Sequence, residues 1–137
     1  MATQVYNSFK SAIMGGSISL SADTIKVALT SAYTPNISAH STYSDITTEV
    51  NGSIGYTLGG ETLTSVTLIQ DNGDDEGVMD AADVTWENST ITANGAVLTI
   101  TNNEAGAALN VELKGFLATT TASLSTTTEG VDVDGYK

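Results

Sequence analysis

Residues 80–97 read DAADVTWENSTITANGAV and are the stretch that says most about the fold of this chain. On both sides of a polar centre at residues 87–89, apolar positions alternate with Thr, Glu, Asn and Ser. A period of two residues is typical of a half-buried strand, and a short polar centre is typical of a turn. The stretch therefore predicts two strands joined by a turn, with the single tryptophan, Trp86, in the first strand.

A short helix and a central strand are predicted before this stretch. The apolar residues of 5–14 recur on one helical face, and the two glycines that follow predict the end of that helix. The next strand, residues 23–30, alternates so that Ile25, Val27 and Leu29 point into the core. They are predicted to lie there alongside Trp86, Ile91 and Val97.

The rest of the chain is predicted to contain strands and loops rather than further long helices. A polar loop spans residues 36–60, with one helical turn at 45–50 capped by Ser44, and an acidic turn spans residues 71–77. Further strands are predicted at 62–70, 78–81, 84–86, 90–101 and 107–117. This pattern predicts an all-β domain, a β-sandwich or jelly-roll-like fold with one short N-terminal helix.

Composition narrows the possible functions. The chain of 137 residues has the length of one domain and contains no cysteine, so disulfides and thiolate metal sites are excluded. Four lysines and no arginine against 16 acids give a net charge of −12, which argues against nucleic-acid and anionic-membrane partners. No segment predicts a signal peptide or a membrane span.

The sequence predicts no catalytic residues and no cofactor. Its one histidine, His40, lies in a polar loop, and no nucleophile motif accompanies it. The acidic turn has an oxygen-ligand spacing like that of a calcium loop, although both flanks read as strands and a hydrated turn is favoured. Its calcium candidates are Asn72, Asp74, Glu76, Asp80 and Asp83.

Several segments, in order and spacing, resemble a family of small virion proteins of tailed bacteriophages. The resemblance covers roughly residues 5–100, and residues 80–97 are its most specific part. Its other segments are YNSF at 6–9, ADTIKVAL at 22–29, YTPN at 33–36, DITTEV at 45–50 and GYTLGGETL at 55–63.

This resemblance implies a structural role and no enzymatic activity. The function we expect is that of a capsid decoration, or cement, protein on the outer surface of the phage head. Its partners would be the major capsid protein and copies of itself, because homo-oligomers with closed symmetry are common; a trimer would suit local three-fold positions. The alternative is a tail- or fibre-associated module that binds host glycans, with Tyr33, Tyr43 and Tyr56 lining a shallow site.

The end of the chain departs from the family and predicts a separate segment. Residues 1–117 form the predicted β domain, and the Thr- and Ser-rich residues 118–137 an extended C-terminal arm. Within the arm, Val131, Val133 and Tyr136 alternate with polar residues or glycine, as in a strand added to a neighbouring sheet. These three are predicted interaction residues.

Overall fold

The computed structural model describes residues 5–93 and 95–101 in full, and the backbone of residues 110–113, 122–125 and 130–131. These residues form mostly strands with one short helix, which confirms the all-β class. In chain order the elements are α1 (Asn7–Met14), β1 (Thr24–Thr30), a 3₁₀ turn η1 (Tyr43–Asp45), β2 (Glu61–Thr62), β3 (Thr67–Asp71), β4 (Glu76–Asp80), β5 (Val84–Thr85), β6 (Thr90–Ala93), β7 (Gly95–Thr101), β8 (Asn110–Leu113), β9 (Ala122–Ser125) and β10 (Gly130–Val131).

The main sheet has four antiparallel strands in the order β2-β1-β7-β8. Its centre is the full-length pairing of β1 with β7, which runs from Thr24 opposite Thr101 to Thr30 opposite Gly95. As predicted, Ile25, Val27 and Leu29 on β1 are buried. The alternation of β-branched and aliphatic residues suits a strand whose two edges are both paired.

Buried side chains pack against both faces of this sheet, and they form two separate apolar clusters. The larger cluster contains Trp86 and Ile91, as predicted, together with the inward residues of β1. The smaller cluster consists of Tyr6, Tyr33, Ile46 and Val97. Val97 was predicted to lie with Trp86 and Ile91, and that prediction is wrong. Because side chains alternate across a strand, Val97 on β7 faces away from Leu98 and packs with the smaller cluster.

Three two-stranded pairings complete the described fold: β3 with β4, β6 with β9, and β5 with β10. The last two involve the predicted C-terminal arm, whose residues 122–125 and 130–131 pair with strands of the same chain. Val131 lies opposite Val84, whereas Val133 and Tyr136 lie outside the described residues. The division into a domain and an arm stays a prediction.

The helix end was predicted correctly. Gly16 has a φ of +69°, and the Ser17 N–H donates to the Ala12 carbonyl while the Gly16 N–H donates to the Ile13 carbonyl. This is the Schellman arrangement, in which a glycine adopts the left-handed conformation after the last helical turn.

Three predicted elements differ clearly from the observed ones, and the predicted strand 78–81 is observed as Glu76–Asp80. Residues 62–70 are not one strand, since Ser65 has a φ of +53° and separates β2 from β3. The predicted strand 90–101 is two strands, β6 and β7, which pair with different partners. The turn predicted at 45–50 with Ser44 as its cap begins earlier, because Thr42 and Asp45 form a capping box around η1.

Candidate functional site

The carboxylate of Glu49 is the centre of the long loop between β1 and β2. The Tyr43 and Tyr56 hydroxyls both donate to it, and so does the Gly59 N–H, at 2.7 Å from Oε1. The Tyr56 hydroxyl also accepts the Leu29 N–H of β1, at 2.9 Å. The Glu49 carboxylate therefore connects the part of the loop around Tyr43 with the part around residues 56–59, and Tyr56 connects both to the central strand.

This arrangement also sets the ionisation of the two tyrosines. Burial, together with the hydrogen bond to Glu49 and its negative charge, raises the pKa of Tyr43 to about 12. The same causes, burial first, raise the pKa of Tyr56. Both hydroxyls are therefore neutral donors at physiological pH, a state suited to holding the loop rather than to proton abstraction.

A second polar chain begins at the N-terminal end of α1. The Tyr6 and Tyr33 hydroxyls are 2.7 Å apart, and the Tyr33 hydroxyl is 2.6 Å from Nδ1 of His40. The Asn36 N–H donates to the same Nδ1 at 3.2 Å, so this nitrogen is an acceptor. The single histidine is thus occupied by a tyrosine hydroxyl and a backbone amide, and it fixes the turn that follows β1.

The three tyrosines predicted to line a glycan site belong to two different networks. Tyr43 and Tyr56 converge on Glu49, whereas Tyr33 bonds with Tyr6 and His40. Tyr33 is only 3% exposed, which leaves almost no ring surface for a ligand to stack on. Sequence reasoning missed Glu49, because nothing local marks a contact between residues that are ten positions apart in an irregular loop.

The acidic turn joins β3 to β4 and brings three carboxylates together. Oxygens of Asp71, Asp74 and Glu76 lie within 4.8 Å of one another. Asp71 was not among the calcium candidates, and it also accepts the N–H groups of Gly73 and Asp74, at 2.8 and 3.3 Å. The pairing of Asp71 opposite Glu76 explains why these residues meet at the end of the hairpin.

The other calcium candidates do not join this group in the described structure. Asp80 lies at the opposite end of β4, facing Thr67, and its carboxylate accepts the Ala81 N–H at 2.9 Å. Asp83 lies beyond it, and the Asn72 amide oxygen accepts a bond from Gln70. Because β4 is extended, Glu76 and Asp80 are about 13 Å apart along the strand, so the spacing of a calcium loop is not reproduced.

The same hairpin exposes apolar side chains. Leu68 is 52% exposed and Ile69 54% exposed, and they project from opposite faces of β3 because they are consecutive. Residues 67–70 are all exposed, and in the described part of the chain β3 pairs only with β4. Beside the acidic turn lies a cavity of about 350 Å³, lined by Gln70, Asp71, Asn72, Asp75, Glu76 and Gly77.

Comparison of the chain with models of known protein families, with curated proteins and with solved structures gives no match. Among the described residues, no helix combines the length and the apolar character that crossing a membrane requires.

Proposed function

We propose that this chain is a structural protein of a tailed-bacteriophage virion, and specifically a decoration protein on the outer surface of the head. The observation that carries the proposal is the β3–β4 hairpin, which exposes Leu68 and Ile69 on a strand with an unpaired edge in the described part of the chain. Exposed apolar edge strands promote unwanted association unless something covers them. Such a strand suits a protein whose working state is an assembly.

The distribution of polar groups supports the same proposal. Two side chains that resemble catalytic groups, Glu49 and His40, have hydrogen-bond partners within the fold. The net charge of −12 disfavours contact with packaged DNA and suits a surface that faces the solvent. The mechanism would be geometric, in that the domain binds across capsid subunits and stiffens the shell by burying apolar surface between them.

The first test of this function is the number of copies in purified phage particles. A head decoration protein should be present in amounts comparable with the major capsid protein, as measured by quantitative mass spectrometry of whole particles. A handful of copies that fractionate with isolated tails would instead support the tail- or fibre-associated module. Absence from the particles would reject both virion roles.

The second test uses binding to heads that lack this protein. Full-length protein should bind such heads, and a Leu68→Thr, Ile69→Thr double variant should bind less. Leu58→Thr is a matched control because Leu58 is 54% exposed but lies outside the hairpin. Equal binding of all three proteins would reject the hairpin as the contact that supports the proposed function.

A further inference from the structure

We infer that the edge of β3 that faces away from β4, and that pairs with no other described strand, is a docking site. Its occupant is an extended, basic segment of a different protein, added beside β3 by backbone pairing. The inference rests on the proposed function in one respect: the partner protein would lie on the surface of the capsid shell.

The backbone of β3 is accessible to a further strand along one edge. A two-stranded hairpin leaves one row of N–H and C=O groups unpaired on each strand, and it is marginally stable by itself. On β4, Met79 opposite Leu68 is 4% exposed and packs in the main core, so one side of the hairpin is anchored. The β3 side is exposed at every residue from 67 to 70, so a third strand could approach it.

The side chains of β3 offer apolar surface on both faces of the strand. Leu68 and Ile69 are about half exposed and lie on opposite faces of the strand. A strand laid alongside β3 would therefore place a side chain next to each of them, one on either face. Burial of these two residues would supply a hydrophobic contribution that the unoccupied hairpin lacks.

The negative charge at the end of β3 indicates which kind of segment would bind there. The strand leads into an acidic turn that carries Asp71, Asp74, Asp75 and Glu76. No lysine or arginine occurs between Lys26 and Lys114. An added strand that reaches this turn is favoured if it carries lysine or arginine there, since opposite charges attract and like charges side by side are costly.

A second copy of this chain is a poor occupant by the same reasoning. Each copy has a net charge of −12, so that two copies repel at long range. The chain's own C-terminal residues 129–137 are a poor occupant as well, since they carry Glu129, Asp132 and Asp134 against one lysine. The complementary segment is therefore one that itself carries more basic than acidic residues and belongs to a different protein.

The test uses a short fluorescent peptide in which lysine and valine alternate, and a control peptide with glutamate in place of lysine. Fluorescence anisotropy with the full-length protein should show binding of the lysine peptide that weakens with salt, and no binding of the glutamate peptide. The Leu68→Thr, Ile69→Thr variant should bind roughly tenfold more weakly, whereas Leu58→Thr should bind like the wild type. Threonine retains the strand preference of the replaced residues, so the change removes apolar surface rather than the strand.

Two results of this binding experiment would overturn the inference, and a third would assign the edge to another occupant. Equal binding by the hairpin variant and the wild type would overturn the inference, because the peptide would then be held by general negative charge. Failure of the lysine peptide to bind would also overturn it. Sedimentation of the protein alone as a dimer that the hairpin variant abolishes would assign the edge to a second copy instead. Since none of these measurements uses phage particles, their failure differs from failure to find the protein in a virion.

Discussion

The loop between β1 and β2 and the β3–β4 hairpin differ in where their polar side chains find partners. The loop has little regular structure, yet its polar groups are bonded inward, with Glu49 accepting from two tyrosines and a backbone amide. The hairpin is regular, yet it leaves Leu68 and Ile69 in solvent and gathers three carboxylates at its end. The two regions therefore differ in how their polar groups and backbone edges are partnered, whereas both expose apolar side chains, since Ile54 and Leu58 of the loop are exposed as well.

The physical reason lies in where the hydrogen bonds of each region come from. A strand pair satisfies much of its backbone through its own ladder, so its side chains are free to face a partner. A loop has no ladder, and its backbone and hydroxyl groups need side-chain partners if they are to be buried. We therefore expect the loop to be sensitive to changes in its bonded or closely packed residues, and the hairpin to tolerate changes in its exposed ones.

The largest effect is expected where the loop touches β1. Gly60 has a φ of +72°, and a Cβ there would lie 1.9 Å from the Val27 carbonyl oxygen. Gly60→Ala must therefore displace the central strand, and we expect it to lower the free energy of unfolding by at least about 4 kcal/mol. Chemical denaturation followed by tryptophan fluorescence measures this change.

The adjacent glycine is the matched control. Gly59 has a φ of +92°, but a Cβ there meets nothing within 4 Å. Gly59→Ala should therefore show only the cost of an unfavourable backbone conformation, about 1–2 kcal/mol. Similar losses for both variants would mean that the loop does not press on β1 as the structure indicates.

Removal of the Glu49 carboxylate should have the next largest effect. Glu49→Ala leaves three donors without their acceptor, and because the site is half-buried, water replaces it only in part. We expect a loss of about 2–3 kcal/mol, since hydrogen bonds to charged groups contribute about 1.5–3 kcal/mol each. Glu87→Ala, at an exposed turn, should lose less than about 0.5 kcal/mol, and equal melting temperatures for the two variants would contradict the assigned role of Glu49.

Alkaline pH should weaken the same network. The pKa of Tyr43 is raised in the folded protein from 10.0 to about 12, so the folded state holds this proton more tightly than the unfolded state. The resulting stability is fully present below about pH 10 and is lost as the pH rises through about 12. Unfolding measured across this range should show a steeper decline for the wild type than for Tyr43→Phe, and parallel curves would contradict the prediction.

The contrast also explains which parts of the molecule could be predicted from the sequence. The alternation in β1 and the glycine end of α1 are local signals, and both led to correct elements. The break at Ser65 was missed because serine carries no turn signal of the strength of glycine or proline. The Glu49 network was missed because its members are brought together by the path of an irregular loop, which no short periodicity encodes.

The hairpin should tolerate a change that would be damaging inside the core. The Leu68→Thr, Ile69→Thr variant should retain its stability within about 0.5 kcal/mol, because both side chains are about half exposed and threonine favours strands. Thermal unfolding by circular dichroism measures this directly. A drop of several degrees would show that Leu68 and Ile69 support the fold, and the contrast between the two regions would then fail.

The smallest effect is expected from calcium at the acidic turn. Asp71, Asp74 and Glu76 bring carboxylates within 4.8 Å, but calcium takes six to eight oxygen ligands, and one of these three groups already accepts two backbone N–H bonds. The candidates Asp80 and Asp83 lie along and beyond β4, away from the turn. We therefore expect that EDTA and added calcium each change the melting temperature by less than about two degrees, equivalent to well under about 1 kcal/mol.

The variant Asp74→Asn tests the same prediction without a chelator, since it keeps the size of the side chain and removes one charge. A rise of several degrees with calcium that Asp74→Asn abolishes would make the turn a metal site, and the hairpin would then depend on an ion where the loop depends on Glu49.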